Sequence, residues 1–414
     1  MADLFSSANR RQFLQGAGLM SVIASGATTL FSRNALAAAA GGWPSKSIYH
    51  QLGIRPLINA AGTYTMLSAC TMPPEVVKAM EDAARYQVSI DELHQAVGKK
   101  IAALTGAEGA LVTAGAANAL TLATAACIAG KDQQKISRLP DTAGIRNEVI
   151  IQKAHRVAYE HAIRSAGGRL IEVETRDQLV NAIGEKTAMM FFLNFADPKG
   201  QVKRQEFVEI ARKAKVPTLI DAAADVPPPG RLSEYVKMGF DLVAFSGGKG
   251  LRGPQCSGLL LGRKELIEAA YLNGSPHADS VSRGAKVGKE EIVGLWTAVE
   301  VYMKKDHKAE WSEWESRVRV IRKAVEGLRS VTSEVYVPEI ANESPHVRIS
   351  WDPKALPMKN GDVRKLLRDG DPRIEITPSD GTLPNLVVSV WMLQQGQDRV
   401  VARRVREVLS KNLA

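Results

Sequence analysis

Short apolar runs alternate with segments of helical periodicity from about residue 105 onward. The runs are rich in β-branched and aliphatic residues: GALVTAG, EVIIQK, RLIEVE, TAMMFFLNF, PTLIDAA, DLVAFSG and GLLLGR. Helical patterns separate them, among them an Ala-rich segment from Asn118 and AYEHAIRSA. Strands that alternate with helices indicate βαβ units, so we predict a largely parallel sheet with helices on both faces. Ligands of such sheets bind at the carboxyl ends of the strands.

The pattern changes beyond residue 289. A long helical segment covers residues 289–330, with a predicted break near KKDHKAEWSEW. The strand-like runs EVYVPEI, HVRISWD, RIEITPS and LVVSVWML follow, interleaved with predicted helices at residues 362–368 and 398–409. We therefore predict a large α/β domain over residues 45–300 and a small C-terminal α+β domain over residues 301–414, a plausible domain size.

The N-terminus has the pattern of an export signal. Arg10 and Arg11 precede a moderately apolar stretch, residues 13–31, which glycines and serines interrupt. NALAAAAGG then supplies an Ala-x-Ala site at residues 35–37. This pattern predicts a twin-arginine signal peptide over residues 1–37, and a periplasmic mature protein without a membrane anchor. A short transmembrane anchor is the alternative.

Composition narrows the class of protein. The 414 residues are 45% hydrophobic and 24% charged, which is typical of a globular chain of this size. The net charge is +10, but basic and acidic residues are interspersed, so we expect no nucleic-acid partner. The three cysteines, Cys70, Cys127 and Cys256, lack paired spacing, so we expect neither a metal site nor a disulfide framework.

Three predicted strand ends carry candidate catalytic or binding residues. In ALVTAGAANAL, the small residues Gly115, Ala116 and Ala117 open a helix and leave amide N–H groups bare, an arrangement that binds phosphate or reflects only tight packing. PTLIDAAAD ends a strand in Asp221, whose desolvated carboxylate needs a cationic partner. DLVAFSGGKG places Lys249 among glycines at the end of the next strand.

Lys249 has two chemical interpretations, because a lysine there either holds a phosphate or forms a Schiff base with a carbonyl cofactor. A P-loop requires G-x-x-x-x-G-K-[ST] before a helix, but Gly250 stands in place of Ser or Thr and the first glycine is absent. Pyridoxal 5'-phosphate (PLP) needs a lysine for its aldehyde, an acid for its pyridine nitrogen and a phosphate site. All three are present, so the Schiff base is favoured.

With these residues the chain resembles the fold-type-I PLP-dependent enzymes, and within them the group that includes bacterial selenocysteine synthase and D-glucosaminate-6-phosphate ammonia-lyase. The resemblance covers about residues 48–410. It is carried by LGIRPLINAAGTYTMLSACTMPPEVVKAM, FSGGKGLRGPQCSGLLLGR and RGAKVGKEEIVGL. It implies an aminotransferase-like large domain, PLP as cofactor and a homodimer or higher homo-oligomer.

The resemblance also implies roles for single residues. Lys249 forms the Schiff base and shuttles protons, and Asp221 is the partner of the pyridine nitrogen. The residues expected around the phosphate are Gly115, Ala116 and Ser246. His155 lies where such enzymes often cover the cofactor ring, and the alternative is a surface histidine at a strand end.

Further basic residues are candidates for binding a phosphate or the substrate. They are Arg283, Lys286 and Lys289 in SRGAKVGKEE, either reaching across a subunit interface or simply opening a charged helix. For a substrate carboxylate, which favours Arg over Lys, we prefer Arg373 in LRDGDPRIEI to Arg348 in HVRISWD, with a plain loop cation as the alternative.

The expected reaction is α,β-elimination of the ammonia-lyase type on an amino acid or amino-sugar acid, because this resemblance is to a lyase. The second alternative is an aminotransferase, and the third is a racemase or aldolase. The alternative that is not an enzyme is a periplasmic anion-binding protein with the same fold. Selenocysteine synthase carries an Asp where this chain has Gly248, and an exported protein would meet no charged tRNA. We therefore do not expect this chain to have selenocysteine synthase activity, and the resemblance does not identify its substrate.

Overall fold

A computed structural model describes residues 47–379 and 381–413 of the chain. The twin-arginine pair, the apolar stretch and the Ala-x-Ala site lie outside the described residues. The chain divides into two compact units. The large unit consists of residues 62–313 and 337–345, and the small unit of residues 47–61 and 314–336 with the described residues from 346 onward.

The described residues form twelve strands. They are β1 Ile58–Ala60, β2 Gly109–Thr113, β3 Glu148–Gln152, β4 Arg169–Val173, β5 Thr187–Leu193, β6 Thr218–Asp221, β7 Leu242–Ser246, β8 Gly258–Gly262, β9 Val331–Tyr336, β10 His346–Trp351, β11 Ile374–Ile376 and β12 Asn385–Ser389. The α-helices are Ile48–Gln51, Pro74–Ala83, Ile90–Thr105, Gly115–Ala129, Gln133–Arg138, His161–Ser165, Arg176–Ala182, Arg204–Ala214, Arg231–Met238, Lys264–Leu272, Lys289–Lys304, His307–Val325, Asn360–Asp369 and Gln397–Asn412. These bounds confirm the alternation of strands and helices predicted from about residue 105 onward, whereas β1 and the helices before that residue were not predicted.

The large unit contains a seven-stranded sheet with the order β2-β8-β7-β6-β5-β3-β4. Strands β7, β6, β5, β3 and β4 pair in parallel, and β8 runs antiparallel to both of its neighbours. The sheet is thus mostly parallel, as predicted. Because the parallel strands end at the same edge, this edge collects the residues that follow β5, β6 and β7.

Alternate residues of the strands enter two hydrophobic clusters, one on each face of the sheet. Phe192, Ile220 and Val243 belong to one cluster, which includes residues of the helices Ile90–Thr105 and Arg204–Ala214. Their neighbours, Phe191, Leu219 and Ala244 among them, belong to the other, with residues of the helix Gly115–Ala129. Successive side chains of a strand point to opposite faces, so helices on both sides are needed to bury runs such as TAMMFFL.

The small unit contains an antiparallel sheet of order β12-β10-β9 and a parallel pair of β1 with β11. The pairing of β1 with β11 explains why residues 47–61 belong to this unit, whereas the predicted boundaries placed them in the large domain. Two further differences concern residues 301–313 and 337–345, which belong to the large unit. Pairing between strands so distant in sequence leaves no local signal in the chain.

The predicted break in the long helical segment lies between Lys304 and His307. Asp306 causes the second helix to begin there, since its Oδ1 accepts hydrogen bonds from the backbone N–H groups of Lys308 and Ala309, at 3.0 Å each. Among the described residues, every helix is too short or too polar to cross a membrane.

Candidate active site

Asp221 is the last residue of β6 and its side chain is buried. Its Oδ1 accepts a hydrogen bond from the Ala223 N–H at 3.0 Å, while the described residues offer Oδ2 no hydrogen-bond donor. Burial raises the pKa of Asp221, and the Ala223 N–H and the positive charge of Lys249 oppose that rise. Oδ2 can therefore accept a hydrogen bond from a bound molecule, since the described residues supply no donor for it.

Lys249 lies in the turn that follows β7, and bare backbone surrounds it for a steric reason. A Cβ on Gly250 would lie 1.9 Å from the carbonyl oxygen of Val226, and one on Gly248 would lie 2.6 Å from Cα of Gln255. The turn is thus packed between two other backbone segments, which leave no room for side chains. The close approach of Gln255 thus requires a glycine at position 248.

The Lys249 amine is half-buried and forms no ion pair with any described residue. Burial lowers the pKa of Lys249, whereas the charges of Asp221 and Asp225 raise it. A lysine whose pKa is lowered is more often neutral, and the neutral amine is the form that attacks an aldehyde.

The helix Gly115–Ala129 begins without a side-chain cap, and Gly115 has φ of +83°. The Ala114 N–H donates to Oδ1 of Asn118 at 3.3 Å, but the N–H groups of Gly115, Ala116 and Ala117 donate to no other described residue. Unpaired N–H groups at the start of a long helix bind anions, because the helix dipole adds to their positive ends.

Strand register places this helix start at the same sheet edge as the lysine turn. Gly258 of β8 pairs with Thr113 on one side and with Ser246 on the other. A Cβ on Gly258 would lie 2.3 Å from the carbonyl carbon of Gly115, so the backbones touch directly. The Ser246 N–H also donates to the carbonyl of Ala223 at 3.4 Å. Of the predicted residues, the structure thus brings Gly115, Ser246, Lys249 and Asp221 to one edge.

A second buried carboxylate lies at this edge, Asp225, which was not predicted from the sequence. Its Oδ2 accepts hydrogen bonds from Nδ2 of Asn194 at 2.6 Å and from the hydroxyl of Tyr235 at 2.8 Å. The only sequence signal was the repeated acid in IDAAAD.

His155 is fully buried, so it is not the surface histidine of the alternative interpretation. The Leu193 N–H donates to its Nδ1 at 3.2 Å, and its ring packs edge-on against Phe192 at 4.4 Å between centroids. Burial, helped by the charge of Lys203, lowers the pKa of His155 to about 4, so the ring is neutral. A role over the cofactor ring would require this ring to become exposed.

The three cations of the SRGAKVGKEE segment have different surroundings. Ser282 Oγ accepts a short hydrogen bond from Nδ2 of Asn118, which joins the segment to the start of the helix Gly115–Ala129. Arg283 follows directly and is half-buried, while Lys286 is exposed. Lys289 pairs with Glu290, which offsets its unfavourable position at a helix N-terminus. Of the three cations, Arg283 is therefore the best candidate to bind an anion at the N-terminus of the helix Gly115–Ala129.

Two arginines of the small unit were candidates for the substrate carboxylate. The Arg348 guanidinium pairs with Glu334 and lies 4.5 Å from the ring centroid of Tyr336. Arg373 precedes β11, and its Nε is buried without a hydrogen-bond partner among the described residues. Because the Arg348 guanidinium already has partners, Arg348 is the weaker candidate for binding the substrate carboxylate. Arg373 keeps an unsatisfied donor.

The residues present fit PLP. The Lys249 amine suits an aldehyde, the free oxygen of Asp221 suits a protonated pyridine nitrogen, and the bare helix start suits a phosphate. These three features lie at the carboxyl edge of a mostly parallel sheet. The fold and the site define a fold-type-I PLP-dependent enzyme.

The profile of the family SelA, L-seryl-tRNA selenium transferase, matches residues 57–335. The chain belongs to this family. It is 31% identical over 375 residues to D-glucosaminate-6-phosphate ammonia lyase of Salmonella typhimurium (strain 14028s / SGSC 2262), covering 87% of this chain and 98% of that protein. It is 32% identical over 374 residues to 5'-C-glycyluridine monooxygenase-decarboxylase of a Streptomyces species, covering 87% and 92%.

A solved structure of D-glucosaminate-6-phosphate ammonia-lyase superposes with a TM-score of 0.78 and 29% identity, over 89% of this chain and 100% of that one. These similarities confirm the predicted fold, cofactor and class: the protein is a PLP-dependent enzyme of the lyase type. They do not favour the aminotransferase, the racemase or aldolase, or the binding protein.

Proposed function

We propose that the enzyme releases ammonia from a 2-amino-3-hydroxy acid, an amino acid or amino-sugar acid, by α,β-elimination. The observation that carries this proposal is that a half-buried lysine, Lys249, and a buried carboxylate, Asp221, follow adjoining strands at one sheet edge, where the charge of each shifts the pKa of the other. The similarity to an ammonia lyase over most of both chains supports the reaction type.

Each residue of the edge has a task in this proposal. Lys249 would hold the cofactor through its aldehyde, and the N–H groups of Gly115 and Ala116, with Ser246, would hold its phosphate. When bound, PLP supplies an electron-accepting ring that stabilises negative charge at the α-carbon of the substrate. Asp221 would keep a proton on the ring nitrogen, because a neighbouring carboxylate favours the charged form of a basic nitrogen.

Lys249 is the proposed base for the substrate. Its neutral amine would accept the proton from the α-carbon and pass it to the β-hydroxyl, which leaves as water. Uptake of one water by the resulting enamine gives a 2-keto acid and ammonia, so the atoms balance. We assign the substrate carboxylate to Arg373, whose Nε has no partner among the described residues, and a second anionic group to Arg283 or Lys286.

A screen of 2-amino-3-hydroxy acids, scored together for ammonia, keto acid and α-proton exchange, tests the reaction. We expect ammonia and keto acid in equal amounts from the true substrate. Amino transfer to an added keto acid without free ammonia would instead identify an aminotransferase. Borohydride reduction should fix PLP to Lys249, seen by mass spectrometry, and Lys249→Ala should lose both the adduct and α-proton exchange. An adduct on another lysine would contradict the assignment.

We also propose that the chain forms a homo-oligomer. Residues 66–88 of the large unit expose large apolar side chains, notably Met66 at 80% and Tyr86 at 62%. Exposed apolar side chains concentrated in one segment favour contact with another protein surface. Sedimentation or light scattering should give at least twice the monomer mass, and a monomer at micromolar concentration would contradict this proposal.

We further propose export to the periplasm, supported by Arg10, Arg11 and the Ala-x-Ala site. Changing both arginines to lysine should leave uncleaved precursor in the cytoplasm, as seen by fractionation and immunoblotting. Unaltered periplasmic delivery of the double variant would contradict the twin-arginine signal.

A further inference from the structure

Asp225 is a buried carboxylate that has no role in the proposed reaction. It lies at the same sheet edge as Asp221 and Lys249, which do have roles. Asp225 is 2% exposed. Its Oδ2 accepts from Nδ2 of Asn194 and from the hydroxyl of Tyr235, and this amide and hydroxyl also lie 2.9 Å from each other. The three side chains form a closed triangle that holds the carboxylate in one orientation.

The backbone joins this triangle to the lysine turn. The Asp225 N–H donates to the carbonyl of Ala222 at 3.0 Å, which closes a turn directly after Asp221. The carbonyl oxygen of the next residue, Val226, is the atom that a Cβ on Gly250 would meet at 1.9 Å. The turn that carries Asp225 therefore packs against the turn that carries Lys249, backbone to backbone, and a shift in one moves the other.

The charges around Asp225 come from two sides. Asp221 and Lys249 face it from the strand ends, and Tyr235 and Arg231 face it from the helix Arg231–Met238. Burial raises the pKa of Asp225 to about 6, against the hydrogen bonds from Tyr235 and Asn194. The carboxylate is thus mostly ionised at neutral pH, despite the desolvation that opposes a buried charge. A neutral amide could accept the same two hydrogen bonds, so these bonds do not require an ionised side chain. The negative charge of Asp225 therefore indicates a further role.

We propose that Asp225 is a positioning residue that acts through Lys249: its carboxylate anchors the turn after β6 and places a second negative charge near the Lys249 nitrogen. This charge helps to keep that nitrogen protonated when the cofactor is attached. A protonated nitrogen is displaced more easily by an incoming amine. The inference rests on the proposed attachment of PLP to Lys249, and not on the elimination that follows.

A titration of the PLP-loaded protein, followed by visible absorbance without substrate, tests this inference. Removing a nearby negative charge lowers the pKa of a cationic nitrogen, so Asp225→Asn should move the midpoint of the titration down by about one pH unit. Asp241→Asn is the matched control. Asp241 also accepts hydrogen bonds from Thr218, but these are part-buried, its carboxylate pairs with Arg263, and it lies at the amino end of β7, on the opposite edge. We expect the control to keep the wild-type midpoint.

An Asp225→Asn variant that binds PLP with the wild-type midpoint would overturn the inference. If this variant does not fold, Tyr235→Phe decides, because it keeps the carboxylate and removes one donor that favours its ionised form. Wild type should show an acid-side change in the absorbance band with a midpoint at pH about 6, and Tyr235→Phe should move that midpoint upward. A missing or unmoved acid-side change would also overturn it. Failure of wild type to bind PLP would refute the proposed function instead.

Discussion

Gly250→Ala tests the close packing that shapes the lysine turn. Its added Cβ would lie 1.9 Å from the Val226 carbonyl oxygen, whereas such contacts are essentially never below 3.0 Å. One of the two backbones must therefore move by about 1 Å. Gly250 has no positive φ, so alanine adds no strain of its own to the backbone conformation.

The magnitude follows from what the methyl group meets. Forcing a methyl into a packed site costs about 1–3 kcal/mol, and the upper part of that range applies because backbone cannot rotate away as a side chain can. Alanine also restricts the unfolded chain, which returns about 0.4–1 kcal/mol. We expect a net loss of about 2 kcal/mol in the free energy of unfolding, or a Tm lower by about 4–8 °C for a unit of this size.

Thermal melts with and without PLP provide the assay, and Gly184→Ala is the matched control. A Cβ on Gly184 would meet nothing within 4 Å, and Gly184 has no positive φ, so the control should melt within about 0.5 kcal/mol of wild type. PLP should raise the Tm of wild type and control by mass action, but much less that of Gly250→Ala. If Gly250→Ala melted like the control and bound PLP like wild type, the close approach would be refuted.

Two further predictions concern single side chains. Asp221→Asn should keep the fold and some PLP yet lose most turnover, because a neutral amide cannot hold the ring nitrogen protonated; turnover within a few-fold of wild type would contradict its assigned role. Burial raises the pKa of Asp221, so removing its charge should not lower the Tm. Arg373→Ala should raise KM strongly for carboxylate substrates and leave the cofactor absorbance unchanged. Unchanged kinetics would move the search to Arg348.

Local pattern was enough to predict the strands from about residue 105 onward, β2 to β12, but not β1 or the helices before that residue. TAMMFFL is apolar at every position but the first because β5 is buried on both faces, and its composition alone indicates that burial. The sequence also indicated Lys249 and Asp221 as candidates, since a lysine among glycines and an acid at the end of an apolar run are both unusual; their roles stay predictions. Their assignment to PLP needed the resemblance as well.

Pairing between distant segments decided the rest. The reversed strand β8 brings Thr113 and Ser246 to either side of Gly258, and β1 joins β11 across more than three hundred residues. Asn194 directly follows β5, Asp225 lies in the turn after β6 and Tyr235 lies within the helix Arg231–Met238, so the fold alone brings these three side chains together. The sequence alone determined which residues are apolar, charged or conformationally free, because these are properties of single side chains. Only the tertiary structure decided which of them touch, because contact depends on strand order and register, which many segments set together.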